Sequence, residues 1–218
     1  MYQLESLFND FDNLQKELGD PKLKSVYGAG NIFNPDFYFI FMNPTGRNIS
    51  AFPSWNGIRA PWLGTKLVWK IFYQIGKLSE ELFIKTQKFK PVQWSESFAE
   101  SLYEELSNNS IYITNLAKCT QVDARPLPNT VFKKYLDLAL NEIKTISPKK
   151  VITFGNQVSS ILLNKKVSVS SYGESDSENI IINQKEYSVY PLYYPVGQGQ
   201  RNMPLTIARL SSISRLPA

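Results

Sequence analysis

The 218 residues of this chain, 43% of them hydrophobic, are enough to bury a two-faced core, and we expect a single domain over residues 1–218. One cysteine and no histidine exclude an internal disulfide, imidazole zinc sites and every serine or cysteine mechanism that needs a histidine, so we expect no metal and no cofactor. The net charge of +5 suits a polyanionic partner better than a membrane. Because residues 1–5 do not resemble a signal peptide and no apolar run approaches the roughly 20 residues of a membrane span, we expect a cytoplasmic monomer.

The spacing of apolar residues predicts helices and strands in alternation. In chain order, it indicates a helix over 4–18, a strand over 37–42, helices over 67–75 and 96–106, a strand over 111–114, a helix over 135–146, a strand over 151–154, a short helix from 157, a hairpin from 180 that feeds a strand over 187–194, and a helix over 206–213. Strands and helices that alternate in this way favour a parallel sheet covered on both faces. We therefore predict an α/β fold, a three-layer α/β/α sandwich with a central, mainly parallel four-stranded sheet.

Each predicted strand ends on polar or turn-forming residues. The first is followed by Asn-Pro-Thr-Gly-Arg at 43–47, the second by Thr114 and Asn115, the third by Gly155, and the fourth by Pro195 and a loop rich in Gly and Gln. Ligands of open α/β sheets collect outside the carboxyl ends of the strands. The polar strand ends are therefore expected to converge on one pocket.

Four segments, in this order, resemble motifs of the uracil-DNA glycosylase superfamily. Met-Asn-Pro-Thr-Gly at 42–46 is similar to the first motif of the single-strand-selective and mismatch-specific branches. The segment at 57–67, Ile-Thr-Asn-Leu-Ala-Lys-Cys at 113–119 and the helix–Pro–strand–Gly passage at 143–155 are similar to the iron–sulfur branch. The resemblance runs from about residue 37 to about residue 203 and implies the fold of that superfamily.

The chain departs from the family pattern at two places. The iron–sulfur branch holds its cluster with four cysteines, whereas this chain has only Cys119, so we expect no cluster and interpret Cys119 as a small buried hydrophobic residue. The family's His-Pro-Ser motif is replaced by Tyr194-Pro195-Val196. The missing histidine would donate to the base oxygen that gains charge, a contribution of roughly 2.7–4 kcal/mol in comparable oxyanion sites. The Tyr194 hydroxyl is the candidate replacement.

The resemblance gives three side chains roles in base excision. Asn43 would hold the attacking water, Asn115 would recognise the extruded base, and Trp62 would stack on it, with Phe52 lining the same pocket. An amide can accept from uracil N3–H and donate to O4, whereas cytosine has the opposite pattern. Two alternatives stay open, because Asn43 is also a common turn-capping residue before proline and Asn115 could bond a neighbouring loop.

The resemblance further implies contacts with the DNA backbone and the base stack. Thr45, Gly46 and Arg47 are expected to bind a flanking phosphate through backbone N–H groups and the guanidinium, and Gln200, Arg201 or Met203 to fill the gap left by a flipped base. The alternatives are an ordinary turn at 45–47 and a flexible surface loop at 195–204.

The sequence thus predicts a DNA glycosylase, with single- or double-stranded DNA as its partner. The enzyme would hydrolyse the N-glycosidic bond of uracil or another deaminated or damaged base. Two other functions remain open: a module on the same fold that binds a nucleobase or nucleic acid without cleavage, and a hydrolase or transferase of free nucleosides.

Overall fold

A six-stranded mixed sheet forms the middle layer of the protein, whose residues 2–217 are described by a computed structural model. The strands are β1 (Ala29–Gly30), β2 (Phe37–Phe41), β3 (Ile111–Asn115), β4 (Lys150–Phe154), β5 (Glu178–Ile182) and β6 (Lys185–Leu192), in the spatial order β1-β3-β2-β4-β6-β5. The four inner strands run parallel, and β1 and β5 pair antiparallel at the two edges. The α/β sandwich is confirmed, but the predicted four-stranded sheet is two strands too small.

Eight helices cover the two faces. They are α1 (Tyr2–Leu18), α2 (Leu67–Gln74), α3 (Glu80–Lys88), α4 (Glu96–Asn108), α5 (Asn129–Lys134), α6 (Leu136–Ile146), α7 (Asn156–Leu162) and α8 (Met203–Ser214) among the residues described. Helices α2, α3, α4 and α8 pack on one face, and α1, α5, α6 and α7 on the other. Among the same residues, no helix combines the length and apolar character needed to cross a membrane.

Strand β2 explains how one short apolar run supports both layers. Its alternate residues Phe37, Phe39 and Phe41 face the α2–α4–α8 side, whereas Tyr38 and Ile40 face the α1–α5–α6–α7 side. All five are buried, as the continuous apolar run predicts for a strand covered on both faces. The central strands are thereby fixed from both sides, which holds the residues at their ends in place.

Helix α8 begins earlier than the sequence analysis predicts. It starts at Met203, three residues before the expected position, with Pro204 in its first turn, where a proline costs no intrahelical hydrogen bond. The buried positions Met203, Thr206, Leu210 and Ile213 recur at helical spacing. Met203 therefore belongs to the inner face of the helix.

Candidate functional site

The ends of β2 and β3 lie side by side at the carboxyl edge of the sheet. Phe41 is paired with Asn115 in the parallel register. Pairing continues beyond the strands, because the N–H groups of Leu116 and Ala117 donate to the carbonyls of Phe41 and Met42 at 2.8 and 3.0 Å. The loop that carries Asn43 is thus tied to the segment that follows Asn115.

A cavity of about 610 Å³ opens at this edge, within the usual size of small-molecule sites. Most of the predicted site residues line it, and they come from four separate segments of the chain. They are Asn43, Thr45, Gly46, Arg47, Phe52, Trp62, Asn115 and Tyr194. The predicted convergence is therefore confirmed for the ends of β2, β3 and β6, whereas Gly155 at the end of β4 does not line the cavity. The chemical roles of these residues stay predictions.

Asn115 carries an amide donor that has no acceptor among residues 2–217. The residue is 2% exposed, it lines the cavity, and its Nδ2 has no hydrogen-bond partner. A buried N–H without a partner costs about 1–3 kcal/mol, and most native structures avoid it. The alternative in which Asn115 bonds a neighbouring loop through Nδ2 is therefore wrong.

The Asn43 side chain forms a local hydrogen bond. Its Nδ2 donates to the carbonyl of Pro44 at 3.1 Å, so the turn-capping alternative describes part of its role. This bond fixes the amide, and none of the described residues donates to Oδ1, the acceptor that would orient a water molecule. The half-buried side chain lies on the cavity wall.

Trp62 is held in an unusual backbone conformation. Its φ of 66° lies in the left-handed region, which costs a residue other than glycine about 1–3 kcal/mol. The N–H and Oγ1 of Thr65 both donate to the Trp62 carbonyl, at 3.1 and 2.6 Å, and close the turn. The indole meets the ring of Phe41 edge-on, with the ring centroids 4.9 Å apart. The turn thus fixes the indole in the cavity wall.

The Tyr194 phenol stays protonated under ordinary conditions. Burial raises the pKa of Tyr194 above its usual value, so the hydroxyl remains a donor and does not act as a base. A Cβ on Gly199 would lie 2.0 Å from the Tyr194 carbonyl oxygen. The backbone at residue 199 therefore lies so close to the Tyr194 backbone that a residue with a side chain would clash there. Glycine at 199 therefore sets the course of the chain beside the cavity.

The predicted phosphate contacts at 45–47 need correction. The Gly46 N–H donates to the carbonyl of Gln121 at 2.7 Å, and the Arg47 N–H lies 3.4 Å from Thr45 Oγ1. The first bond belongs to an isolated parallel bridge between Thr45 and Gln121, and the Asn48 N–H closes the turn by donating to the Thr45 carbonyl at 2.8 Å. The Gly46 N–H is therefore already used within the fold and does not face a phosphate. The exposed guanidinium of Arg47 is the remaining cationic group of this segment at the cavity.

The predicted base-stack residues do not lie on the cavity wall. Met203 is 5% exposed and packs in the core beneath α8, so the prediction that it enters DNA is wrong. Gln200 and Arg201 are exposed in a 3₁₀ helix (Gly197–Asn202) near the cavity. Leu205 is 51% exposed in the first turn of α8 and does not line the cavity either. The burial of Met203 could have been predicted by extending the helical spacing of Thr206, Leu210 and Ile213 back to residue 203.

The charged residues that line the cavity are all cationic. Among the lining residues described, Arg47 and Lys66 carry charge and no carboxylate is present. Lys66, which the sequence analysis missed, precedes α2 and donates from Nζ to the carbonyl of Gln87. Residues 2–217 contain no cluster of three or more His, Cys, Asp or Glu side chains that could hold a metal ion. The cavity wall thus favours an anionic ligand.

Comparison with known families gives one match. A family model described as the uracil DNA glycosylase superfamily matches residues 59–209, which is more than half of the chain. No curated protein matches the chain. The matched range includes Trp62, Asn115 and Tyr194 and begins after Asn43. The resemblance at 42–46 therefore rests on the sequence pattern and on the position of that segment at the cavity.

Proposed function

Because the chain belongs to the uracil DNA glycosylase superfamily, we propose that it hydrolyses the N-glycosidic bond of uracil or another deaminated base flipped out of DNA. Members of this superfamily are typically N-glycosylases that bind DNA, so membership suggests a DNA glycosylase-type activity. In the proposal, Asn43 holds the water, Asn115 recognises the base and Trp62 stacks on it.

The unpartnered Nδ2 of Asn115 carries this proposal. A keto oxygen such as O4 of uracil would supply the acceptor that the protein lacks, while Asn115 Oδ1 accepts from N3–H. Cytosine would place an amino group against Nδ2 and leave two donors facing each other. A site that loses such a pair discriminates by about 10⁴-fold or more.

The reaction follows from the groups at the cavity. Water oxygen bonds to C1′ of the sugar, the C1′–N bond breaks, and the base leaves with the electron pair. Negative charge then grows on the base oxygens, where Asn115 Nδ2 and the protonated Tyr194 hydroxyl are the candidate donors. Asn43 orients the water but cannot take its proton, which passes to solvent. We therefore expect a slow enzyme.

The proposed stacking makes a prediction for Trp62. Trp62→Ala should weaken binding of a base-flipped oligonucleotide by about 5- to 150-fold, because base–aromatic stacking contributes about 1–3 kcal/mol. Trp62→Phe keeps a flat ring and should lose far less. Fluorescence anisotropy with a labelled, uracil-containing oligonucleotide measures both. Equal losses for the two variants would contradict stacking.

The two cations predict a salt-dependent interaction with phosphate. Arg47→Gln and Lys66→Gln should each reduce the slope of log Kd against log salt concentration by about 0.7–0.9, the value expected when the protein neutralises one phosphate fewer. Lys70→Gln removes the same charge from an exposed residue of α2 that does not line the cavity, and should leave the slope unchanged. Identical slopes for all three variants would show that the cavity cations do not bind phosphate.

One observation favours a second candidate, a module that binds a nucleobase or nucleic acid without cleaving it. No carboxylate lines the cavity among the residues described there, and the sequence has no histidine, so a strong general base is missing. A hydrolase or transferase of free nucleosides has less support, because a neutral nucleoside would not use the two cations.

One assay separates these functions. Single- and double-stranded oligonucleotides that carry uracil, hypoxanthine or xanthine are incubated with the protein and then treated with alkali, which cleaves the strand at abasic sites. Cleavage that is lost in Asn43→Ala supports the glycosylase. Binding without cleavage supports the module, and release of base from nucleosides but not from DNA supports the third function.

A further inference from the structure

A buried ion pair lies on the α1–α5–α6–α7 side of the sheet, next to the backbone of Asn115. Lys118 Nζ and Glu142 Oε2 are 2.7 Å apart, and both side chains are 1% exposed. Burial lowers the pKa of Lys118, and the adjacent carboxylate of Glu142 opposes that shift. Removing two charges from water is costly, and apolar residues of similar volume often stabilise a fold as well or better. A contribution to stability therefore does not by itself explain why the fold contains this ion pair.

Glu142 is held by two neighbouring strands. It projects from α6, its Oε1 accepts from the Tyr112 hydroxyl, and its Oε2 accepts from the Tyr38 hydroxyl, both at 2.8 Å. The two tyrosine rings stack with their centroids 5.2 Å apart. The carboxylate therefore has a fixed position under β2 and β3.

Lys118 connects this fixed carboxylate to the base-recognition residue. An ammonium group has three donors, and here Nζ donates to Glu142, to Thr114 Oγ1 and to the backbone carbonyl of Asn115, the last at 2.7 Å. The Asn115 side chain has no hydrogen bond of its own through Nδ2. Its direction consequently depends on how its backbone is held.

We propose that Lys118, oriented by Glu142, is a positioning residue that holds Asn115 in the conformation that recognises the base. The inference deepens the proposed function and rests on it. Lys118 does not line the cavity, so it acts through the Asn115 carbonyl and not by contact with substrate. The ion pair thereby holds the Asn115 backbone without forming a hydrogen bond to either polar atom of the side-chain amide.

The test uses a neutral pair in place of the charged one. Lys118→Met alone would leave Glu142 charged and unpaired, which is strongly destabilising, so the two changes Lys118→Met and Glu142→Gln are combined. The combined variant should fold, and should lower kcat/KM for base release about 10²-fold, as expected for a displacement near 1 Å. Lys150→Met is the matched control, because Lys150 is also buried but bonds the Leu216 carbonyl at the opposite end of the sheet.

Two readouts distinguish positioning from a general structural role. In a double-mutant cycle, the combined variant should have little further effect when Asn115 is already alanine, because it acts through that residue. In ¹⁵N NMR spectra, the Asn115 Nδ2 resonance, identified by its loss in Asn115→Ala, should broaden or shift in the combined variant and stay unchanged in Lys150→Met.

The outcomes separate this inference from the proposed function. If the wild-type protein releases no base, the glycosylase proposal fails, and the NMR comparison alone decides whether the ion pair holds Asn115. If the wild-type protein is active and the folded combined variant keeps both its kcat/KM and its Asn115 resonance, the positioning role is overturned. A loss of activity that is fully additive with Asn115→Ala also overturns it.

Discussion

Asn115→Leu is expected to lower kcat/KM for base release by about 10²- to 10³-fold, the usual loss when one donor to a developing negative charge is removed. The same change should raise the free energy of unfolding by about 1–3 kcal/mol, because leucine has a similar volume and removes a buried donor that has no acceptor. Single-turnover cleavage assays and urea unfolding measure the two effects. A substitution that lowers kcat/KM and raises the free energy of unfolding indicates that the original residue serves ligand binding and not the stability of the fold.

The control for this prediction lies at the other end of the same strand. Asn109 precedes β3, and its Nδ2 donates to the Glu105 carbonyl at 3.0 Å. Asn109→Leu should therefore lower stability and leave kcat/KM unchanged. If Asn115→Leu instead destabilises the protein and retains its activity, the amide serves the fold and base recognition must be assigned elsewhere.

Substitution of Asn43 is the second change with a large expected effect on kcat, and the new residue decides whether kcat falls or rises. Asn43→Ala should lower kcat about 10²-fold, because the attacking water loses its orienting acceptor. Asn43→Asp should raise kcat by about 10²-fold or more, because a carboxylate can accept the proton of that water. The gain should be present above the carboxyl pKa and should disappear as the pH falls through about 4, when the aspartate becomes protonated. A pH–rate profile of single-turnover kcat tests both variants.

The control for Asn43→Asp is Asn31→Asp, the same change of amide to carboxylate at the opposite end of the sheet. Asn31 Oδ1 accepts from the Phe33 N–H at 2.9 Å, a bond that aspartate can also form. The activity of the Asn31→Asp variant should equal that of the wild-type protein at every pH. An Asn43→Asp variant without any gain would mean that the water does not lie beside residue 43, which would favour binding without cleavage.

The parts of the fold that follow from the sequence are those with a strong local signal. Strands β2, β3 and β4 are short runs in which every residue is buried, because each strand is covered on both faces. Strand β6 begins on exposed charged residues and is continuously buried only from Val189 to Leu192. Edge strand β1 has only Ala29 and Gly30, too few residues for any periodic pattern. Helix α3 was missed because its sequence is largely polar, and Thr86 is its one fully buried residue. Elements at the edge of the fold bury few side chains, so their sequences show little hydrophobic periodicity.

The site was partly predictable for a similar reason. Asn115 is the last residue of β3 and Asn43 lies two residues after β2, so the pairing of these two strands brings them together. The position of Lys66 depends on where α2 begins, and local spacing defines helix ends poorly. Lys118 was not assigned a role, because its partner Glu142 is 24 residues away and looks like an ordinary helical carboxylate in the sequence. Such pairs form only after the layers have packed.

The two sides of the cavity differ in how they are anchored. Asn43 and Asn115 extend from adjacent inner strands that remain hydrogen-bonded beyond their ends. Phe52 and Trp62 belong instead to the segment at 52–65, which lies outside the sheet. Substrate range can therefore be redesigned by exchanging that segment, while the spacing of the two amides is inherited unchanged from the sheet.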